Sequence, residues 1–109
     1  SELSGYLATF RSSEEAIGAE RAFRISEAAS SGLREELIPL PRGISSDCGF
    51  CLLLGLEASL SGGDCALGAE TRIMSFLEAN GCEEIYRVFE SPIPGKKRRE
   101  KHYERIHAS

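Results

Sequence analysis

Between Leu37 and Leu56 the chain runs from an apolar segment through a proline break and a small polar loop into a second apolar segment. The stretch reads Leu37-Ile-Pro-Leu-Pro-Arg-Gly-Ile-Ser-Ser-Asp-Cys-Gly-Phe-Cys51 and continues apolar to Leu56. Pro39 and Pro41 each remove a backbone donor, which places the first segment at a sheet edge or ends it as a strand. Phe50 to Leu56 has no polar alternation, as expected of a strand covered on both faces or lying centrally. The chain is therefore committed to a sheet here, with the loop between its strands held at both ends. Such a loop presents a side chain on a rigid support.

The rest supplies partners for these two strands. Gly5 to Phe10 reads as a first strand, with aromatic and β-tolerant residues. Ser12 followed three residues later by Glu15 is a capping box, and the helix it opens runs to about Ala29. Ala16, Ala19, Ala22, Phe23, Ile25 and Ala29 form its buried stripe, and Ser30-Ser31-Gly32 stops it. Arg34 to Leu40 is the second strand and Phe50 to Leu56 the third. Glu57 to Gly68 reads as a glycine-rich loop, followed by a second helix over Ala69 to Asn80 with Asn80-Gly81 as its stop. Glu84 to Glu90 is a fourth strand, and Pro92 and Pro94 close the unit. The order predicts an α+β fold, a ferredoxin-like βαββαβ sandwich: a four-stranded sheet with both helices on one face. The 109 residues fit one domain, expected over residues 1–91. Residues 92–109 form a charged tail, in which Gly95 to Ala108 could become a helix anchored only by Tyr103 and Ile106.

Charge divides the chain in the same place. Residues 1–90 carry seven Lys/Arg against fifteen Asp/Glu, a balance of −8, while residues 91–109 carry six against two, a balance of +4. The acidic body argues against nucleic acid as a partner. Lys96-Lys97-Arg98-Arg99 reads as a solvated segment or a contact to that body. No apolar run reaches the ~18 residues of a membrane span and no signal peptide is visible, so a cytoplasmic protein is expected.

The chemistry centres on Cys48. Ser45, Ser46, Asp47 and Gly49 around it leave room for several backbone amides, and Arg42 lies six residues upstream. Amides and a guanidinium favour a thiolate, whereas the adjacent Asp47 opposes it. Cys51 completes a Cys-x-x-Cys, which serves as a redox couple, half a metal site or a coincidence of core packing. At the start of a strand, side chains three apart point to opposite faces, so Cys51 is a doubtful partner for Cys48. Cys65 and Cys82 could extend the pair to a four-thiolate site, but their wide separation does not suit a zinc ribbon. His102 and His107, five apart, lack the spacing of a helical metal pair. No phosphate loop, Ser/His/Asp set or carboxylate pair is present, and neither a cofactor nor a resident metal is expected. A soft-metal module using Cys48 and Cys51, and a regulatory protein-interaction domain, stand as alternative functions.

At Leu37-Ile-Pro-Leu-Pro-Arg-x-Ile-Ser-Ser-Asp-Cys-Gly the chain resembles the putative selenium/sulfur carrier protein-like family of small bacterial domains, in which a Pro-x-Pro-Arg strand leads to Ile-Ser-x-x-Cys-Gly. The opening Tyr6-Leu-Ala-Thr-Phe-Arg-Ser and the strand Ile85-Tyr-Arg-Val are similar too, so the resemblance covers about residues 5 to 90. It implies a carrier that holds sulfur or selenium as a persulfide or selenopersulfide on Cys48, with Arg42, Ser45, Ser46 and Gly49 shaping the loop. It also implies a donor protein, such as a desulfurase or a lyase, and an acceptor; a homodimer stays open. Such a carrier does not turn over a substrate alone. Cys51, the glycine-rich loop with Cys65 and the basic tail depart from the family pattern, and the second thiol makes an intramolecular disulfide conceivable.

Overall fold

Helix and strand boundaries follow from local signals in the chain. The computed structural model describes residues 2–26, 33–44, 49–56, 64–95, 97 and 99–108, with only the backbone at residues 2, 64–69 and 99. Strand β1 (Glu2–Thr9) leads to helix α1 (Ser13–Ile25). Ser12 is the N-cap: its Oγ accepts from the Glu15 N–H at 3.2 Å, as the capping box predicts. The helix stops earlier than Ala29, because Ser26 turns extended and both its N–H and its hydroxyl donate to the Phe23 carbonyl. Ile25, expected on the buried stripe, is instead 90% exposed. The Ser30-Ser31-Gly32 stop lies outside the described residues.

Strands β2 (Leu33–Pro39) and β3 (Phe50–Leu56) follow, then α2 (Asp64–Ala79), β4 (Glu84–Pro92) and β5 (Arg99–Ala108). Helix α2 begins five residues before Ala69, because Gly68 sits within a helical turn rather than ending a loop. Its C-terminus is closed as Asn80-Gly81 predicts. Gly81 has φ +81°, its N–H donates to Glu78 O, and the Cys82 N–H donates to Leu77 O at 3.2 Å. That is a Schellman cap, whose left-handed residue is glycine because a Cβ there strains against its own backbone.

The sheet order is β2-β3-β1-β4-β5, with every neighbouring pair antiparallel. The four-stranded ferredoxin-like βαββαβ sandwich is corrected on this point: among the described residues the order is βαββαββ and the sheet has five strands. Residues of the basic tail make the fifth. The reason is visible in Tyr103 and Ile106. Three apart, they suggest a helix face, but in a strand that spacing sends them to opposite faces, and each packs against a different cluster. Acidic side chains of β4 receive the tail's basic ones. Arg105 Nη1 lies 3.1 Å from Glu84, Lys101 Nζ 3.9 Å from Glu90, and Glu104 accepts from Arg87 at 3.3 Å.

Alternation along β1 separates two layers. Tyr6 and Ala8 join Ala16, Ala19 and Phe23 of α1, Ile73 and Leu77 of α2, and Leu52, Leu54 and Ile85 in the main core. Phe23 and Phe76 meet edge to face at 5.6 Å, which ties the two helices together. Leu7, between Tyr6 and Ala8, points to the other face and forms a smaller cluster with Ile44, Cys51 and Val88. Among the described residues no helix covers this second face, yet Leu7 and Cys51 are 0% exposed.

One polar knot crosses the main core. Arg87 grips Glu70 with two hydrogen bonds, 2.6 and 2.9 Å, and the buried Tyr6 hydroxyl donates to the same carboxylate at 3.2 Å. The hydrogen bonds from Arg87 hold the Glu70 carboxyl below its ordinary value, while burial and the Glu70 charge push the Tyr6 phenol up. A carboxylate with a lowered folded value stabilises the fold above its unfolded value, near 4.5. That contribution disappears as pH falls through the folded value. Glu70→Gln is expected to lose about 1.5–3 kcal/mol at neutral pH, the size of charge-assisted hydrogen bonds. Urea midpoints measured from pH 7 to pH 3 should show the gap between wild type and variant closing on the acid side. A constant gap would mean that the charge contributes nothing.

Candidate functional site

Part of the second face is covered by residues that follow β2. After Pro39 the chain departs from the sheet, and Leu40 and Ile44 pack against Leu7, Cys51 and Val88. The path depends on one turn. The Ile44 N–H donates to the Pro41 carbonyl at 3.2 Å, and Gly43 has φ +87°. A positive φ at the third position of a hydrogen-bonded tetrapeptide is the type II turn, which needs glycine there. Arg42 occupies the exposed second corner of this turn. Gly43 is the loop residue that motif reasoning missed, although Pro41-Arg42-Gly43-Ile44 carries the turn signal in full. Ser45, Ser46, Asp47 and Cys48 lie outside the described residues. At Gly49 the chain is exposed and a Cβ would meet nothing within 4 Å.

Phe50 follows on the helix side of β3, still 48% exposed. With Ser13, Ala16 and Ile17 of α1 and Leu37 of β2 it lines an apolar groove of about 180 Å³. Ile17 is 40% exposed, so two of the three exposed large apolar side chains among the described residues meet in this groove, beside the end of the loop. Periodicity could not have paired Ile17 with Phe50, since only the packing of α1 over β3 brings them together.

The other cysteines are placed very differently. Cys51 points to the second face, beneath the loop, with its Sγ 3.6 Å from the Ile38 carbonyl and 3.9 Å from that of Pro39. Cys82 belongs to the main core on the helix side, where burial, helped by the nearby Glu78 charge, pushes its thiol up to about 11. Such a group is a protonated thiol at neutral pH and a poor nucleophile or metal ligand. Cys51 and Cys82 therefore sit in clusters on opposite faces of the sheet, which removes the geometry of a shared four-thiolate site. Cys65 lies in α2, in the part described by backbone alone. Among the described residues no group of three or more His, Cys, Asp or Glu side chains could hold a metal ion. His107 Nδ1 lies 3.1 Å from Glu78 and His102 Nε2 lies 3.8 Å from Glu100, so each histidine has its own carboxylate neighbour. No helix among the described residues is long and apolar enough to cross a membrane.

Among known proteins, the family described as Putative Se/S carrier protein-like matches residues 5–61, a segment that spans most of β1 and all of α1, β2 and β3 and includes the loop between the last two. No curated protein and no solved structure matches the chain.

Proposed function

This chain belongs to the Putative Se/S carrier protein-like family, and from that membership we propose that it carries sulfur or selenium as a persulfide or selenopersulfide on Cys48. The observation that carries the reading is that the matched segment contains the Pro-Arg to Cys-Gly loop. Two structural features support it. Gly49, the residue bonded to Cys48, is exposed, whereas Cys51 and Cys82 are buried. The loop is also tethered on both sides, by Ile44 in the second cluster and by β3 after Gly49.

In this reading the Cys48 thiolate attacks the outer sulfur of a donor's persulfide. A bond forms between that sulfur and Cys48 Sγ, the donor's S–S bond breaks, and the donor leaves as a thiolate. The acceptor's thiolate repeats the step on the loaded carrier, so no outside oxidant or reductant enters. Arg42, Ser45, Ser46 and Gly49 shape the loop around the thiolate. The apolar groove at Phe50 and Ile17 is the surface that this reading gives to the donor, a desulfurase or lyase, and to the acceptor. Cys51 is the second thiol of the site in sequence, and the cytoplasm, where thiols stay reduced, suits such exchange.

The test is mass spectrometry of the intact protein after incubation with a cysteine desulfurase and cysteine. Wild type is expected to gain one sulfur atom, removable by a reductant, and Cys48→Ser to gain none. Equal loading of Cys48→Ser would remove Cys48 from the role. A selenocysteine lyase with selenocysteine, run in parallel, distinguishes selenium from sulfur.

A further inference from the structure

The carrier reading leaves a buried cysteine unexplained. Cys51 sits three residues from Cys48 and is 0% exposed, yet among the described residues no helix lies over its face. Its cover comes from elsewhere in the chain. Ile44, 9% exposed, is in the same cluster and belongs to the loop itself. Tyr103 packs against the same cluster from β5, but it is paired with Val88 and lies three strands from Cys51, so it belongs to the cluster's other end.

We propose that Ile44 forms a cover that seals Cys51 away from thiol chemistry, so that the site offers one reactive thiol and not two. The chemistry gives the cover a purpose. A thiolate attacking the inner sulfur of a persulfide closes a disulfide and expels the outer sulfur as hydrosulfide. A carrier whose second thiol can reach its persulfide discharges itself in this way. A packed cover over the second thiol prevents it, and the turn at Gly43 delivers Ile44 to that place. Ile44 is thus a positioning residue: it acts by deciding which sulfur can be reached.

The bearing on transfer rests on the carrier reading, but the test does not, because it is done in reduced Cys48→Ser protein. Labelling by N-ethylmaleimide under native conditions is followed cysteine by cysteine by peptide mass spectrometry. Cys51 is expected to label slowly there, and about tenfold faster or more once Ile44→Ala is added, as local opening becomes easier. Ile44→Val, which keeps most of the packing, should restore slow labelling, and Tyr103→Ala, at the other end of the cluster, should change it much less than Ile44→Ala does. Cys82, buried in the core on the other side of the sheet, is the internal control and should stay unlabelled throughout. Unchanged Cys51 labelling in Ile44→Ala overturns the proposal. So does Cys82 labelling in step with Cys51, since protection would then come from the fold as a whole.

Discussion

Deletion of residues 97–109 is expected to reduce the stability of the remaining chain by about 3–5 kcal/mol, read as a fall in the urea midpoint. The segment looks dispensable by composition. It nevertheless pairs with β4 along that strand's whole length, from Glu84↔Ala108 to Pro92↔Arg99. Without β5, strand β4 becomes a sheet edge with unpaired amides and carbonyls, the arrangement that promotes pairing between chains. Tyr103 leaves the second cluster and Ile106 leaves the main core. Glu84 and Glu90 lose their basic partners. Each exposed ion pair contributes at most about 1 kcal/mol, so most of the effect comes from the ladder and the two apolar side chains. Ordinary domains have totals of roughly 5–15 kcal/mol, so at the low end of that range the truncated chain is close to unfolding. An unchanged midpoint would make β5 an ornament on a body that stands alone over residues 1–91.

Gly5→Ala is the second large effect, with an expected loss of about 2–4 kcal/mol. A Cβ at Gly5 would lie 2.5 Å from the Leu54 carbonyl oxygen and 3.1 Å from the Gly55 Cα. Both are backbone atoms of β3, so no side chain can rotate to make room. The two inner strands would have to part where Gly5 faces Gly55, next to the irregularity between Leu3 and Gly5. Gly18→Ala is the contrast. Gly18 lies inside α1, where an added Cβ meets nothing within 4 Å, and the change should stabilise by about 0.5–1 kcal/mol. Thermal unfolding of the two variants should move in opposite directions. A neutral Gly5→Ala would mean that β1 and β3 yield easily at this point.

Much of this protein is legible in its residues. Ser12 and Glu15 announce α1, Asn80-Gly81 announces the end of α2, and the apolar run from Phe50 to Leu56 announces a strand with neighbours on both sides. These signals are local: a cap, a left-handed glycine or an unbroken apolar run acts through atoms a few residues away. The loop is legible for the same reason, because Pro39, Pro41 and the residues up to Gly49 form an uninterrupted motif. What lies beyond reach depends on distant partners. Residues 99–108 become a strand because β4 offers Glu84, Glu90 and Arg87 in register, which no window of the tail contains.

The same division runs through the candidate site. Local spacing and residue type single out the loop from Arg42 to Gly49 as the expected site, with Cys48 as its proposed thiol. They are not enough to rank Cys51, because alternation says only that a strand residue points to one face or the other, not what covers that face. Tertiary packing is what puts Cys51 in one buried cluster with Leu7, Ile44 and Val88, buries Cys82 on the opposite side, and brings Phe50 to Ile17 beside the loop. The physical reason is that burial belongs to the whole sheet and the layers against it, whereas caps, turns and alternation are fixed by atoms close along the chain.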